Sequence, residues 1–317
     1  MHRYVIRRIL LMIPVLLGVS FILYALMDLA PGDAASILGG ESMTFEELEA
    51  LREQMGLNRP MIVRYIEYMW NLIRGDFGTS MMSKEPVLDL FLQKFPSTVK
   101  LALGAMAINL GFSIPLGIYT AKHQGTLADN AAMVGALLGL SIPNFWLGLM
   151  LISLFAVQLG WFPTYGANNG FMSYVLPAIT VGTAQMASTT RTVRSSMLDV
   201  CRQDYLRTAR AKGVSEKMVI NKHALRNALI PILTLIGAQF GGVLGGAYLT
   251  ESVFSLPGIG RLFVDSIYNR DAEVVVSISI ITCAMVSVIR LIVDILYAYV
   301  DPRIKAQYER GGKKKHG

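Results

Sequence analysis

The chain has 317 residues, 53% of them hydrophobic and 16% charged, with a mean hydropathy of +0.47. That charged fraction falls well short of the roughly 25% of a soluble domain, and the formal net charge of +7 sits beside apolar runs. This pattern marks the cytoplasmic face of a membrane protein rather than a nucleic-acid surface. The two cysteines, Cys201 and Cys283, are far apart in unlike settings and suggest neither a disulfide framework nor a metal site.

Ile9 to Met27 is an uncharged run preceded by Arg3, Arg7 and Arg8. It is long enough to cross a bilayer with its N-terminus inside, and no small-residue cleavage site follows it, so it reads as an uncleaved helix. Asp28 to about Ser97 is polar and acidic, and is expected outside as a small lid or docking surface. Within it, Glu46 to Met55 reads as a surface helix capped by Thr44 or Ser42. Met61 to Ile73 reads as an amphipathic helix with Ile62, Tyr65, Ile66, Met69 and Ile73 on its apolar face.

Leu101 to Ala121 is the second expected span, leaving through the short basic turn at Lys122 and His123. Asn130 to Thr190 contains no charged residue, too long for one helix, and divides into two spans joined near Gly160 to Gly170. Trp161, Phe162 and Tyr165 at that join suit an interfacial aromatic belt, and Pro143 and Pro177 are candidate kinks. From Arg191 to Arg226 the chain is strongly basic. Tyr205, Leu206 and Ala209 form an apolar stripe on a short helix that Gly213 ends, and Ser215 is placed to cap a second helix with Glu216 in its first turn.

Asn227 to Thr250 is the fifth span. Gly237, Gly241 and Gly245 recur at four-residue spacing, as in rows that let helices approach closely. The loop Glu251 to Glu273 contains SLPGIGRLF, a turn followed by an amphipathic helix. Val274 to Val300 is the sixth span, and Arg290 and Asp294, one turn apart, are spaced to pair within it. The tail ends in Lys313, Lys314 and Lys315. The expected fold class is therefore all-α: a polytopic membrane protein with six transmembrane helices and both termini cytoplasmic. The expected divisions are 1–98 (first span plus external segment), 99–303 (five-helix core, with the basic loop at about 191–228) and 304–317 (basic tail). No P-loop, H-E-x-x-H or C-x-x-C occurs, and no catalytic residue is proposed.

The segment RTARAKGVSEKMVINKHALRNALIP at 207–231 resembles the EAA loop of ABC-importer permeases of the peptide and nickel family. APGDAA at 30–35, GLNRPMIVRYIEY at 56–68, RGDFGTS at 74–80, STVKLAL at 97–103, LTESVFSLPGIGRLFVDSIYNRD at 249–271 and VDILYAYVDPRIK at 293–305 agree with the B-type subunit of that family. The resemblance implies a type I permease fold in the cytoplasmic (inner) membrane, with peptide as the solute and nickel as the alternative. It implies a second, C-type permease, two cytoplasmic ATPases that carry ATP and magnesium, and an extracytoplasmic binding protein. It also implies that Tyr205, Arg207, Ala209, Arg210, Gly213 and His223 couple the chain to an ATPase. Arg207 stands where the general pattern has Glu, and His223 where it has an aliphatic residue. An ion-coupled secondary transporter, which needs acids near the midplane, and a channel or scaffold, which has no use for the helix–Gly–helix loop, are the rival classes.

Overall fold

The computed structural model describes residues 2–40 and 43–300, and these form helices with no strand. The basic tail and Ser42 lie outside the described residues. Helix α1 (His2–Leu29) carries Pro14 in its interior. Three short helices follow: α2 (Ala34–Gly39), α3 (Phe45–Gln54) and α4 (Met61–Ile73). Thr44 caps α3 and closes a capping box with Glu47, so two free backbone N–H groups are satisfied reciprocally.

Helix α5 (Val87–Lys122) begins well before the apolar run that signalled it and continues through residue 98. It packs along α8 (Met172–Cys201), and these two form the centre of the molecule. Close approach is possible because Gly117 lies against Val193 and Gly182 against the Ala105 carbonyl, where a Cβ would sit 2.6 and 2.8 Å from its neighbour. Between them the chain does not run straight. α6 (Leu127–Ser141) and α7 (Asn144–Leu151) meet at 95°, and α7 passes into a wider π turn over Ile152–Gln158. Pro143 precedes α7, so the expected kink is a right-angled break there.

After the short helices α9 (Asp204–Ala211) and α10 (Glu216–Met218), a π turn at Val219–Ala224 leads into α11 (Leu225–Leu244). The fifth expected span is thus shorter than its apolar run. It bends by 47° around Leu229–Pro231, stops at Leu244, and gives way to a separate helix, α12 (Tyr248–Val253). α13 (Ile259–Tyr268) and α14 (Ala272–Val300) complete the described chain. Three helices are long and apolar enough to cross a membrane alone, and the two bent pairs bring the number to five among the described residues. α8 falls outside that count; it buries Ser173, Thr180, Thr189, Thr190 and Ser196, an arrangement suited to the middle of a bundle rather than to lipid.

Four buried clusters hold the bundle. One lies between α5, α8, α11 and α12, around Leu101, Leu176, Val243 and Leu256. A second ties the ends of α5, α8 and α11 to α9. A third joins the start of α5 to α13 and α14, and a fourth joins α1, α4 and α14. The inward face of α4 differs from the expected one. Tyr65, Tyr68, Met69 and Leu72 turn inward, whereas Ile62, Ile66 and Ile73 are exposed. The tyrosine hydroxyls decide the rotation: Tyr68 meets Ser277 at 2.7 Å and Tyr65 meets Ser20 at 2.9 Å, bonds that isoleucine cannot make.

Candidate functional site

Two features at neighbouring levels of the bundle carry the site. The first is the helix–Gly–helix unit. α9 ends in a Schellman motif: the Gly213 N–H donates to the Arg210 carbonyl (3.0 Å) and the Val214 N–H to the Ala209 carbonyl (3.3 Å). Gly213 takes φ +79°, the left-handed conformation this closure requires. A Cβ added there would meet nothing within 4 Å, so the demand is on backbone angle and not on space. Arg210 then reaches across the turn and donates to both oxygens of Glu216, at 2.9 and 3.0 Å. That guanidinium holds the Glu216 carboxyl below its ordinary range. Ser215 occupies the N-cap position of α10 but makes no side-chain cap bond, so its expected role is not realised.

The stripe on α9 is divided between two environments. Leu206 is fully buried and Ala209 packs beside it, both against Val193, Met197, Val219 and Ile220. Tyr205 is exposed, its hydroxyl accepting from Asn227 at 2.6 Å. Leu206 and Ala209 are therefore spent on the chain's own core, and of the stripe only Tyr205 is open to a partner. What α9 presents outward is Asp204, Tyr205, Arg207, Thr208, Arg210 and Ala211, with the Arg207 side chain 77% exposed near Asp204. His223 is half-buried in the π turn, where its carbonyl lies 3.5 Å from the Tyr205 hydroxyl.

The same end of the bundle holds a contact with no local sequence signal. Arg194 on α8 donates to both oxygens of Asp129 on α6, each at 2.7 Å, and the Gly125 N–H adds a third bond. Asp129 is buried. A carboxylate removed from water is tolerated only with such pairing, so α6 is fixed to the base of α8.

The second feature is a polar face inside the bundle. Asn109 on α5 donates to Gln239 on α11 at 2.9 Å, and the same Gln239 oxygen accepts from Thr189 on α8. The Gln239 amide donates to Ser188, and Ser113 donates to Asn109. Beside this network, Gln185 Oε1 is buried without a hydrogen-bond partner among the described residues. Gln185, Gln239, Asn144, Tyr248 and Gly242 line a cavity of about 420 Å³. The exposed stripe of α11 continues it as Asn227, Pro231, Thr234, Ala238 and Gly242, small or polar at every position. The exposed side of α1, by contrast, is Ile9, Leu10, Val15, Leu17, Phe21, Ile22 and Leu26. Lipid suits the second surface; the first suits water or a closely packed partner.

Gly237, Gly241 and Gly245 face away from this cavity, towards α14. A Cβ on each would meet Val293 at 2.5 Å, Val286 at 3.3 Å and Thr282 at 3.5 Å respectively. The expected Arg290–Asp294 pair does not form. Asp294 pairs with Arg8 on α1, and Arg290 is exposed, lining a groove with Arg7 and Arg8. Spacing along one helix favoured Arg290, but the packing of α1 against α14 supplies a competing cation.

Opposite the α9 end, Glu251 on α12 is fully buried. Its carboxylate accepts from Thr98 Oγ1 (2.8 Å) and the Arg261 N–H (2.9 Å), while Thr98 accepts from the Ile259 N–H. Burial raises the Glu251 carboxyl above its ordinary range, and these bonds offset part of the shift. Gly258 lies directly on the carboxylate, where a Cβ would fall 2.1 Å from Cδ. The Leu-Pro-Gly-Ile-Gly turn is thus clasped to α5 at Thr98.

Residues 1–102 match the N-terminal component, and residues 113–306 the main component, of the binding-protein-dependent transport system inner membrane family. The chain belongs to that family. The permease is 43% identical over 315 residues to the oligopeptide transport system permease protein AppB of Bacillus subtilis (strain 168), covering 96% of this chain and 100% of that one. It is 41% identical over 305 residues to the glutathione transport system permease protein GsiC of Escherichia coli (strain K12), covering 96% and 99%. The fold matches a chain of the inward-facing MetNI methionine ABC transporter with a TM-score of 0.56 at 18% identity, over 68% of this chain and 97% of that one. The permease is an integral, multi-pass membrane protein with the ABC-importer permease fold.

Proposed function

We propose that this permease is one of two membrane subunits of an ATP-driven importer that takes up peptides handed over by an extracytoplasmic binding protein. The relatives named above for oligopeptide and glutathione transport support peptide as the solute. The observation that carries the reading is the pairing of a polar, small-residue face on α8 and α11 with a helix–Gly–helix unit packed on the same two helices. Within a largely apolar lining, Asn144, Gln185, Gln239 and Tyr248 supply amide and hydroxyl groups to the cavity, and these match a peptide main chain without demanding one side-chain charge. The α8/α11 face meets the pathway and a second, C-type permease. The chain crosses the membrane six times with both termini in the cytoplasm, α8 and each bent pair counting as spans.

Tyr205, Arg207, Ala209, Arg210, Gly213 and His223 form the coupling region. Arg207 and Tyr205 are the side chains that reach an ATPase, Ala209 and Gly213 set the geometry, and His223 supports the following turn. One ATPase docks here and a second on the partner permease. ATP and magnesium are held by those subunits, and this chain does no chemistry itself. Gly237, Gly241 and Gly245 seat α11 on α14 so that the two move together.

The test is uptake in a strain lacking the gene, offered labelled dipeptides, longer peptides and nickel in parallel. Loss of peptide uptake alone, restored with the gene, is the expected result. Loss of nickel uptake alone overturns the solute assignment while leaving the architecture standing.

A further inference from the structure

Helix α4 divides its circumference three ways. At 3.6 residues per turn, Met61, Tyr65, Tyr68, Met69 and Leu72 form the inward sector, packed on Tyr24, Val276 and Ile280. Arg64, Glu67, Asn71 and Arg74 form a polar sector. The remaining arc, about 100° wide by the same periodicity, is Ile62, Val63, Ile66, Trp70 and Ile73. These side chains are 50%, 40%, 60%, 57% and 75% exposed. A helix with two apolar sectors and one charged sector is not a simple surface helix.

Its position in the bundle explains the third sector. α4 meets α1 through Ser20, whose hydroxyl bonds Tyr65 and approaches the Met69 sulfur, and through the Leu17 carbonyl. About 13 Å of helix, at ~1.5 Å per residue, separates Ser20 from the α1 end at Leu29. On α14, Tyr68 reaches Ser277, about 8 Å of helix inside its start by the same rise. α4 therefore lies below the ends of both spans. Its exposed arc continues the exposed apolar side of α1, where the Phe21 ring stands edge-on to Tyr65 at 5.4 Å. At the polar margin Arg64 pairs with Asp28, near the end of α1, and the Arg74 guanidinium lies 4.8 Å above the Trp70 ring. An amphipathic tryptophan beside cationic groups suits the headgroup level.

We propose that α4 is an in-plane membrane helix. Its Ile62–Val63–Ile66–Trp70–Ile73 arc inserts among the lipid acyl chains of the leaflet at the C-terminal end of α1, the outer leaflet in the topology proposed above. The occupant of this face is lipid. Large branched and aromatic side chains, continuous with a lipid-type surface, distinguish it from the small-residue face of α8 and α11. The segment 28–86 is then held to the membrane by its own helix as well as by its contacts with α1 and α14.

The test uses the whole transporter reconstituted into liposomes of phosphatidylcholine and phosphatidylglycerol. Nitroxide labels are placed singly at 62, 66 and 73, and at 67 and 71, in a background with Cys201→Ser and Cys283→Ser. At 62, 66 and 73, collision with oxygen is expected to exceed collision with a water-soluble nickel chelate several-fold, with the reverse at 67 and 71. A chelate preference at 66 and 73 would place the arc in water, and low collision with both reagents would place it under a protein partner; either result overturns the proposal. As a check with native cysteines, Trp70 is left as the only tryptophan of this chain by Trp146→Phe and Trp161→Phe, and its signal is taken as the difference from the same transporter carrying Trp70→Phe. Its fluorescence is expected to be quenched strongly by lipids brominated on the acyl chain and weakly by iodide, and the opposite order contradicts lipid insertion.

Discussion

At the scale of single residues, buried charges and close backbone contacts make the sharpest demands. Arg194→Ala leaves the Asp129 carboxylate buried with only the Gly125 N–H as a donor among its described contacts. Loss of hydrogen bonds to a charged group costs about 1.5–3 kcal/mol, so the thermal midpoint of the detergent-purified permease should fall clearly. An unchanged midpoint would show the pair to be expendable. Glu251 gives a pH signature. Its folded-state pKa lies above the ordinary 4.5 because of burial. The folded chain then holds this proton more tightly than the unfolded chain, so its contribution is full below about pH 4.5 and declines as pH rises through the folded value. Glu251→Gln should flatten that decline, measured as unfolding midpoint against pH; parallel curves for the two proteins would refute the assignment. These contacts were not legible in the sequence. Arg194 counted only as one more basic residue, and the Asp294 partner Arg8 lies at the opposite end of the chain. Sequence spacing registers neighbours on one helix, while these pairs are created when helices from distant segments meet.

At the scale of elements, legibility followed local chemistry. The helix α3 with Thr44 as one of two candidate caps, the bounds of α4 and the break at Gly213 were readable, because caps, periodicity and a left-handed glycine act within a few residues. The inward face of α4 was not readable. Both apolar sectors satisfy the same periodicity, and two tyrosine hydrogen bonds choose between them. The stop of α11 at Leu244 is another tertiary effect: the apolar run continues, but the chain turns at Gly246, which lies against the Gly260 backbone. The Leu206 side chain, fully buried beneath α9, joins it to α8 and α11. Leu206→Ala removes much of that apolar contact, at about 2–5 kcal/mol. ATP hydrolysis by the assembled transporter should then run with little peptide movement, and tight coupling in this variant would argue against a rigid joint.

At the scale of the whole molecule, the bundle separates three kinds of surface. The exposed side of α1 is large and apolar, the α8/α11 face is small and polar, and the α9 end is basic and anchored through Leu206 on the shared core. The amides of the polar face, Asn109, Gln185 and Gln239, stand singly within apolar runs and were not singled out in the sequence. Only the fold shows that they converge from three helices. In the proposed cycle, ATPase closure moves α9, and the shared core carries that displacement to the helices that line the path.

The measurement that tests this account most directly is peptide uptake by the complete transporter carrying Gly213→Pro, beside Gly213→Ala. Proline fixes φ near −65° and removes the N–H that bonds Arg210, whereas alanine meets no neighbour and costs about 1–2 kcal/mol for its left-handed backbone. The account predicts that the proline variant reaches the membrane but loses uptake, while the alanine variant keeps most of it. Normal uptake with proline at 213 would contradict the coupling role of this unit.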